Sequence, residues 1–227
     1  MKICAFSDMH GNLDFKVEPC DIVLICGDIV PLKIQGYTSP SEEWFKATFI
    51  PWCNNLPCEK VVFIGGNHDW FIMRHPDRIR LMLEGQDKIV YLDCETFEYK
   101  GKTIFGTPWC KPFGRWAFME SYEEQDARYS RYVDIIGKID ILMSHDAPYG
   151  VSDVLLQRDC WWADGSHIGN ESIRKLLDKA KPAVHTFGHL HSCQHEKTEH
   201  NGTDVYCVSL LDENYDMVYK PLYVEIE

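Results

Sequence analysis

Short, almost wholly apolar runs punctuate the chain, and five of them are followed at once by aspartate, asparagine or histidine. Lys2–Phe6, Ile22–Cys26, Val61–Ile64, Thr103–Phe105, Ile139–Met143 and Ala183–Phe187 each read as a buried strand. Amphipathic stretches separate them. Phe45, Phe49, Trp52 and Leu56 recur at helical spacing, with Pro51 expected to kink that helix or end it early. Ser121 and Glu124 form a capping pattern before a helix running towards Ile135. Ile173, Leu176, Leu177 and Ala180 make a further apolar stripe that stops before Pro182. Two or three more strands are expected between Val205 and Ile226. Strands alternating with helices predict an α/β fold with largely buried sheets, in which loops leaving the carboxyl ends of strands share one crevice.

With 227 residues and no linker or repeat, residues 1–227 are expected to form one domain with a complete core. The net charge of −12 opposes stable binding to nucleic acid or anionic membrane, but bound cations can still draw a small anionic substrate into an acidic protein. Oligomeric state is left open. The ten cysteines include no C-x-x-C pair, and the N-terminal residues have no signal-peptide character, so reduced thiols in a cytoplasmic protein are expected.

The residues after the strand-like runs are Asp8-Met9-His10, Gly27-Asp28, Gly66-Asn67-His68-Asp69, His145, and Gly188-His189-Leu190-His191. One histidine, or one Gly-Asp turn, means little. Five such strand ends aimed at one edge are poorly explained by packing alone. Glycines at 27, 66 and 188 would let the backbone pass close to a ligand. Mixed imidazole and carboxylate donors suit Mn, Fe, Zn or Co rather than Ca.

In these five blocks and their order, the chain resembles the calcineurin-like metallophosphoesterase superfamily, whose pattern is D-x-H, G-D, G-N-H-D/E, H and G-H-x-H. The resemblance implies a four-layer sandwich: two mixed β-sheets with helices on both outer faces. It also implies two divalent ions, Mn heading the candidates for activity. Asp8, His10, Asp28 and His191 would hold one ion, and Asp28, Asn67, His145 and His189 the other, with Asp28 bridging. Ions about 3.5–4 Å apart would clamp the attacking and leaving oxygens and supply a bridging hydroxide for in-line attack. His68 would protonate the leaving group, and Asp69 would hold its imidazole in orientation.

Within the superfamily, Gly27-Asp28-Ile29-Val30-Pro31 lacks the continuation typical of protein serine/threonine phosphatases, and the tyrosinate block of purple acid phosphatases is missing. Gly106-Thr107-Pro108-Trp109, Trp116-Ala117-Phe118 and His145 with Pro148, Gly150 and Asp153 are similar to small metallophosphodiesterases of the brain 239 type and their bacterial relatives. Asp146 departs from their usual glycine and adds a carboxylate near the site. Trp109, Phe113 and Trp116 either wall the metals, stacking on a nucleobase or aryl group, or pack their loop onto the domain. Lys111 or Arg115 could contact phosphate, although each is read first as solvated surface, and Trp161-Trp162 is read as packing. The expected reaction is hydrolysis of a phosphate ester, preferably a diester. The alternatives are a nucleotide pyrophosphatase or small nuclease using the same site, and an inactive scaffold.

Overall fold

The computed structural model describes residues 1–136, 138–155 and 164–227. The apolar runs form the centre of two sheets. In the first, β1 (Lys2–Phe6), β2 (Ile22–Cys26), β3 (Lys60–Ile64) and β4 (Ile89–Tyr91) are parallel, and β11 (Leu222–Glu225) pairs antiparallel with β1. The second runs in the order β5 (Glu95–Tyr99), β6 (Lys102–Thr107), β7 (Ile141–Ser144), β8 (Val184–Phe187), β10 (Thr203–Cys207) and β9 (Thr198–His200). There β6, β7, β8 and β10 are parallel, and the two edge strands are antiparallel. Both sheets are therefore mixed, as expected.

The period-two alternation of each strand divides its side chains between two apolar layers. Ile3, Ala5, Ile22, Leu24, Val62 and Ile64 of the first sheet meet Ile104, Ile141 and Met143 of the second in a central core. On the outer face of the first sheet, Phe6, Ile25 and Phe63 pack with Phe45, Phe49, Phe71 and Ile79. These come from helical segments spanning α1 (Thr38–Trp44), a π-helical turn (Phe45–Phe49), α2 (Ile50–Asn55), α3 (Trp70–Arg74) and α4 (Pro76–Leu83). On the other outer face, Phe105, Leu142 and Phe187 meet Tyr129 of α5 (Tyr122–Ile136) and Ile173, Leu176 and Leu177 of α6 (Glu171–Ala180). The result is the expected four-layer sandwich. Each fully buried large side chain contributes about 1.5–3 kcal/mol to holding it.

Pro51 does not end its helix early, since α2 continues past it to Asn55. The π-helical turn ahead of it, closed by the Ile50 N–H donating to the Phe45 carbonyl, places Pro51 in the first turn of α2. A proline there withholds no needed donor, and the widened turn relieves its ring from the preceding carbonyl. Ser121 and Glu124 do cap α5: the Ser121 N–H donates to Glu124 Oε2 at 3.1 Å and the Glu124 N–H to Ser121 Oγ at 3.3 Å. Asn170 caps α6, its side chain accepting from the Ser172 and Ile173 N–H groups. Between Val205 and Ile226 lie the greater part of β10 and all of β11, and the connecting chain crosses one end of the sandwich. None of the nine cysteines among the described residues forms a disulfide, and no helix among them is long and apolar enough to cross a membrane.

Candidate metal centre

The carboxyl ends of β1, β2, β3, β7 and β8 point to one end of the sandwich, so the five polar blocks meet there. Asp8 sits two residues past β1 and donates its N–H to the Gly27 carbonyl at 3.1 Å; His10 donates to the Asp28 carbonyl at 2.9 Å. These bonds tie the loops after β1 and β2 together. Four of the seven candidate ligands, Asp8, His10, Asp28 and His189, have positive φ, from 44° to 69°. Each such residue costs on the order of 1 kcal/mol or more unless the surroundings impose the conformation. Gly188 is required by close approach, since a Cβ there would collide with Ser7 Oγ and Asp8 Oδ2.

Two clusters of donor atoms result, Asp8–His10–His191 and Asp8–Asp28–His145, the atoms of each within 4.8 Å of one another. His10 Nε2 is 3.6 Å from Asp28 Oδ2, His145 Nε2 is 3.5 Å from Asp28 Oδ1, and His191 Nε2 is 3.4 Å from Asp8 Oδ1. Asn67 Oδ1 lies 2.8 Å from His145 Nε2. His189 lies to one side: its N–H donates to both Asp8 carboxylate oxygens, and its ring is 5.3 Å from that of His145. Backbone carbonyls orient two of the rings, with His145 Nδ1 2.8 Å from the Cys26 oxygen and His191 Nδ1 2.8 Å from that of Asp212. Donation from Nδ1 leaves each Nε2 facing the carboxylates, the tautomer a metal ligand needs.

The electrostatics are those of a buried cluster of carboxylates and imidazoles that could hold cations. Burial pushes the Asp8 and Asp28 carboxyls up, but the surrounding imidazoles outweigh it and hold both below the usual carboxylate range. Burial lowers His145 and His191, yet Asp28 raises the first to about 10 and Asp8 raises the second to about 9. Burial, aided by the neighbouring imidazoles and opposed by the carboxylates, holds His10 down at about 4 and also depresses His189. Both ring nitrogens of His10 are buried without a hydrogen-bond partner. Such orphaned atoms are costly, and a metal ion beside the carboxylates would satisfy one of them. The donor set thus fits divalent ions of the Mn, Fe, Zn or Co type, whose binding would release the protons of His145 and His191.

His68 stands at the lip. Its N–H donates to Asp28 Oδ1 at 2.8 Å, and its Nε2 lies 3.9 Å from Asp28 Oδ2. The expectation that Asp69 holds this ring is not met. The Asp69 carboxylate is fully buried beneath the loop and accepts from the N–H groups of Ile29, Val30 and Gly66. The ring's partner is Gln35, whose Oε1 is 2.5 Å from Nδ1. Burial and the nearby Asp28 charge raise the Asp69 carboxyl to about 7, against those three bonds.

A cleft of about 490 Å³ opens over the site, lined by Asp28, Asn67, His68, His189 and His191 below and by Phe113, Trp116 and Tyr215 at the rim. Each rim ring rests on a site histidine. Trp116 lies 4.6 Å from His68, Phe113 lies 5.0 Å from His189, and Tyr215 lies 5.0 Å from His10 and 5.4 Å from His191. Trp109, expected as a possible stacking residue, is not part of this lining. Its Nε1–H donates to Asp93 at 3.0 Å, Arg128 covers one face, and Phe118 packs edge-on, so it joins the loop to the domain. Asp146 is similarly committed, accepting from the N–H groups of Lys111 and Ala147 and from Asn170 Nδ2. Lys111 is not solvated surface: it lines the cleft while its ammonium donates to the carbonyls of Ile168 and Gly169. Trp161 and Trp162 lie outside the described residues. Gln35 went unread because it follows no strand and no local pattern marks it.

The family model for calcineurin-like phosphoesterases matches residues 1–193. The chain is 25% identical over 238 residues to UPF0046 protein T07D4.2 of Caenorhabditis elegans, covering 93% of this chain and 56% of that protein. It is 24% identical over 243 residues to metallophosphoesterase domain-containing protein 1 of Homo sapiens, covering 97% of this chain and 69% of that one. The chain therefore spans little more than half the length of the worm protein. Among solved structures, TT1561 of Thermus thermophilus superposes with a TM-score of 0.61 at 12% identity, over 91% of this chain and 88% of that one. That likeness concerns the fold.

Proposed function

The chain belongs to the calcineurin-like phosphoesterases, and from that premise we propose that it hydrolyses phosphodiesters at a centre of two divalent ions. The observation that carries the reading is the convergence of Asp8, His10, Asp28, His145 and His191 in two donor clusters beneath an open cleft. One ion would be held by Asp8, His10, Asp28 and His191, and the other by Asp28, Asn67, His145 and His189, with Asp28 shared. When bound, such ions supply Lewis-acid charge and hydroxide at neutral pH.

The chain's own groups account for the rest. His68 presents Nε2 on the cleft side of Asp28, where it can deliver a proton to a departing alkoxide. Phe113, Trp116 and Tyr215 flank the ester and favour a substrate carrying a flat, weakly polar group, a nucleoside or aryl moiety among them. Lys111 is the one lysine or arginine among the described lining residues, and its ammonium is already bonded to two carbonyls. A monoester dianion would find no further side-chain cation there, which favours the singly charged diester.

Metal analysis combined with assays on bis- and mono-p-nitrophenyl phosphate tests this reading. Two ions per chain and chelator-sensitive cleavage of the diester are expected, and a protein inactive after Mn²⁺ reconstitution would overturn it. His68→Ala should retain the metals and lose about 10²–10⁴-fold in kcat on diesters with poor leaving groups.

A further inference from the structure

We propose that Gln35 is the positioning residue of the His68 imidazole, in the place a carboxylate was expected to occupy. The inference rests on the reading of His68 as the proton donor. Three sides of the ring are fixed: His10 meets it edge-on at 4.9 Å, Trp116 covers it at 4.6 Å, and Gln35 Oε1 approaches Nδ1. The remaining nitrogen, Nε2, faces Asp28 and the cleft.

Gln35 is itself held by its backbone. Its N–H donates to the Pro31 carbonyl at 3.1 Å, and the next turn is closed by Tyr37 N–H and Ser41 Oγ donating to the Ile34 carbonyl. Asp69 takes part indirectly, because its carboxylate anchors Ile29 and Val30 at the start of the segment that presents Gln35. The chemical logic is that of a neutral acceptor. An amide oxygen accepts from Nδ1–H but cannot take its proton, so Nδ1 keeps its hydrogen and Nε2 alone gives and regains one. A carboxylate at this position would add a further negative charge to a site that already holds Asp8 and Asp28, whereas the amide orients the ring without one.

Two measurements decide the matter. In metal-free protein labelled with ¹⁵N-histidine, His68 (assigned by its loss in His68→Ala) should carry hydrogen on Nδ1, with slow exchange that Gln35→Leu abolishes. A neutral ring protonated on Nε2 would overturn the proposal. In Mn²⁺-loaded protein, a series of aryl methyl phosphates of rising leaving-group pKa gives the kinetic readout. Gln35→Leu should lower kcat about tenfold or more for phenol release and less than about threefold for p-nitrophenol release, at unchanged metal content. Gln35→Glu, which keeps an acceptor but adds the charge that the amide avoids, should restore only part of the loss, and Gln35→Leu should add nothing in a His68→Ala background. A uniform loss across the series, or additivity with His68→Ala, would overturn the assignment. If the wild-type protein cleaves none of the series, the phosphodiesterase reading fails, and the histidine spectra still judge Gln35.

Discussion

On the floor of the cleft Asp8, Asp28, Asn67 and His145 are at most 2% exposed, whereas Phe113, Trp116 and Tyr215 at its rim are 38–46% exposed. The floor is built from residues just past strand ends, locked by backbone bonds between loops and by strained backbone conformations. The rim comes from connecting segments, and its rings pack against the site histidines. The contrast teaches a division of labour. Under the proposed function, a floor that holds charge out of water needs positions fixed by the sheets, while rim groups that would meet varied esters need only a supported ring.

The largest effect should come from the floor. Asp28→Asn removes the carboxylate common to both proposed ligand sets, so metal analysis should find substoichiometric ion and turnover should fall by on the order of 10³-fold or more. Retained metal and activity would break the comparison at its base. At the rim, Trp116→Ala should raise KM for aryl diesters about three- to tenfold, the range of one lost ring contact, and leave metal content unchanged. An equal loss on dimethyl phosphate would mean that Trp116 serves the floor through His68 alone.

Trp109→Ala sharpens the contrast from outside the cleft. It should cost about 2–3 kcal/mol of stability in denaturant unfolding, with the ratio of aryl to alkyl KM unchanged. The smallest effect concerns His185 of β8, beneath the floor, whose Nε2 lies 2.7 Å from Ser144 Oγ and whose Nδ1 is buried without a partner. Burial holds it down at about 3. Between its ordinary value near 6.5 and that value, the unfolded chain binds a proton that the folded chain does not, so stability falls as pH falls. His185→Gln should remove up to about 1.4 kcal/mol per pH unit from that slope, measured between pH 6.5 and 5, above most carboxylate titrations.

Strands β1, β2 and β3 were legible because each is apolar after at most one leading lysine, as a strand covered on both faces is expected to be. Strands such as β5, whose Glu95–Tyr99 alternates half-buried and exposed side chains until the buried Tyr99, carry too weak a signal to stand out. Pro51 misled for a related reason: its cost depends on the helical turn before it, which no residue pattern announces.

What the chain determined by itself is the identity of the floor. Strand ends carry fixed polar residues, and parallel strands must present those ends together. Which contacts those residues make was decided only in three dimensions. Asp69 lies next to His68 in sequence, yet backbone amides from the loop after β2 claim its carboxylate, and Gln35 reaches the ring across 33 positions of chain. Trp109 and Trp116 have the same chemistry and lie in one loop, yet Arg128, Phe118 and Asp93 hold one against the domain while the other stands over the cleft. Hydrogen-bond and ring partners are chosen by distance after folding, and distance between loops from different strands is a property of the assembled sheets.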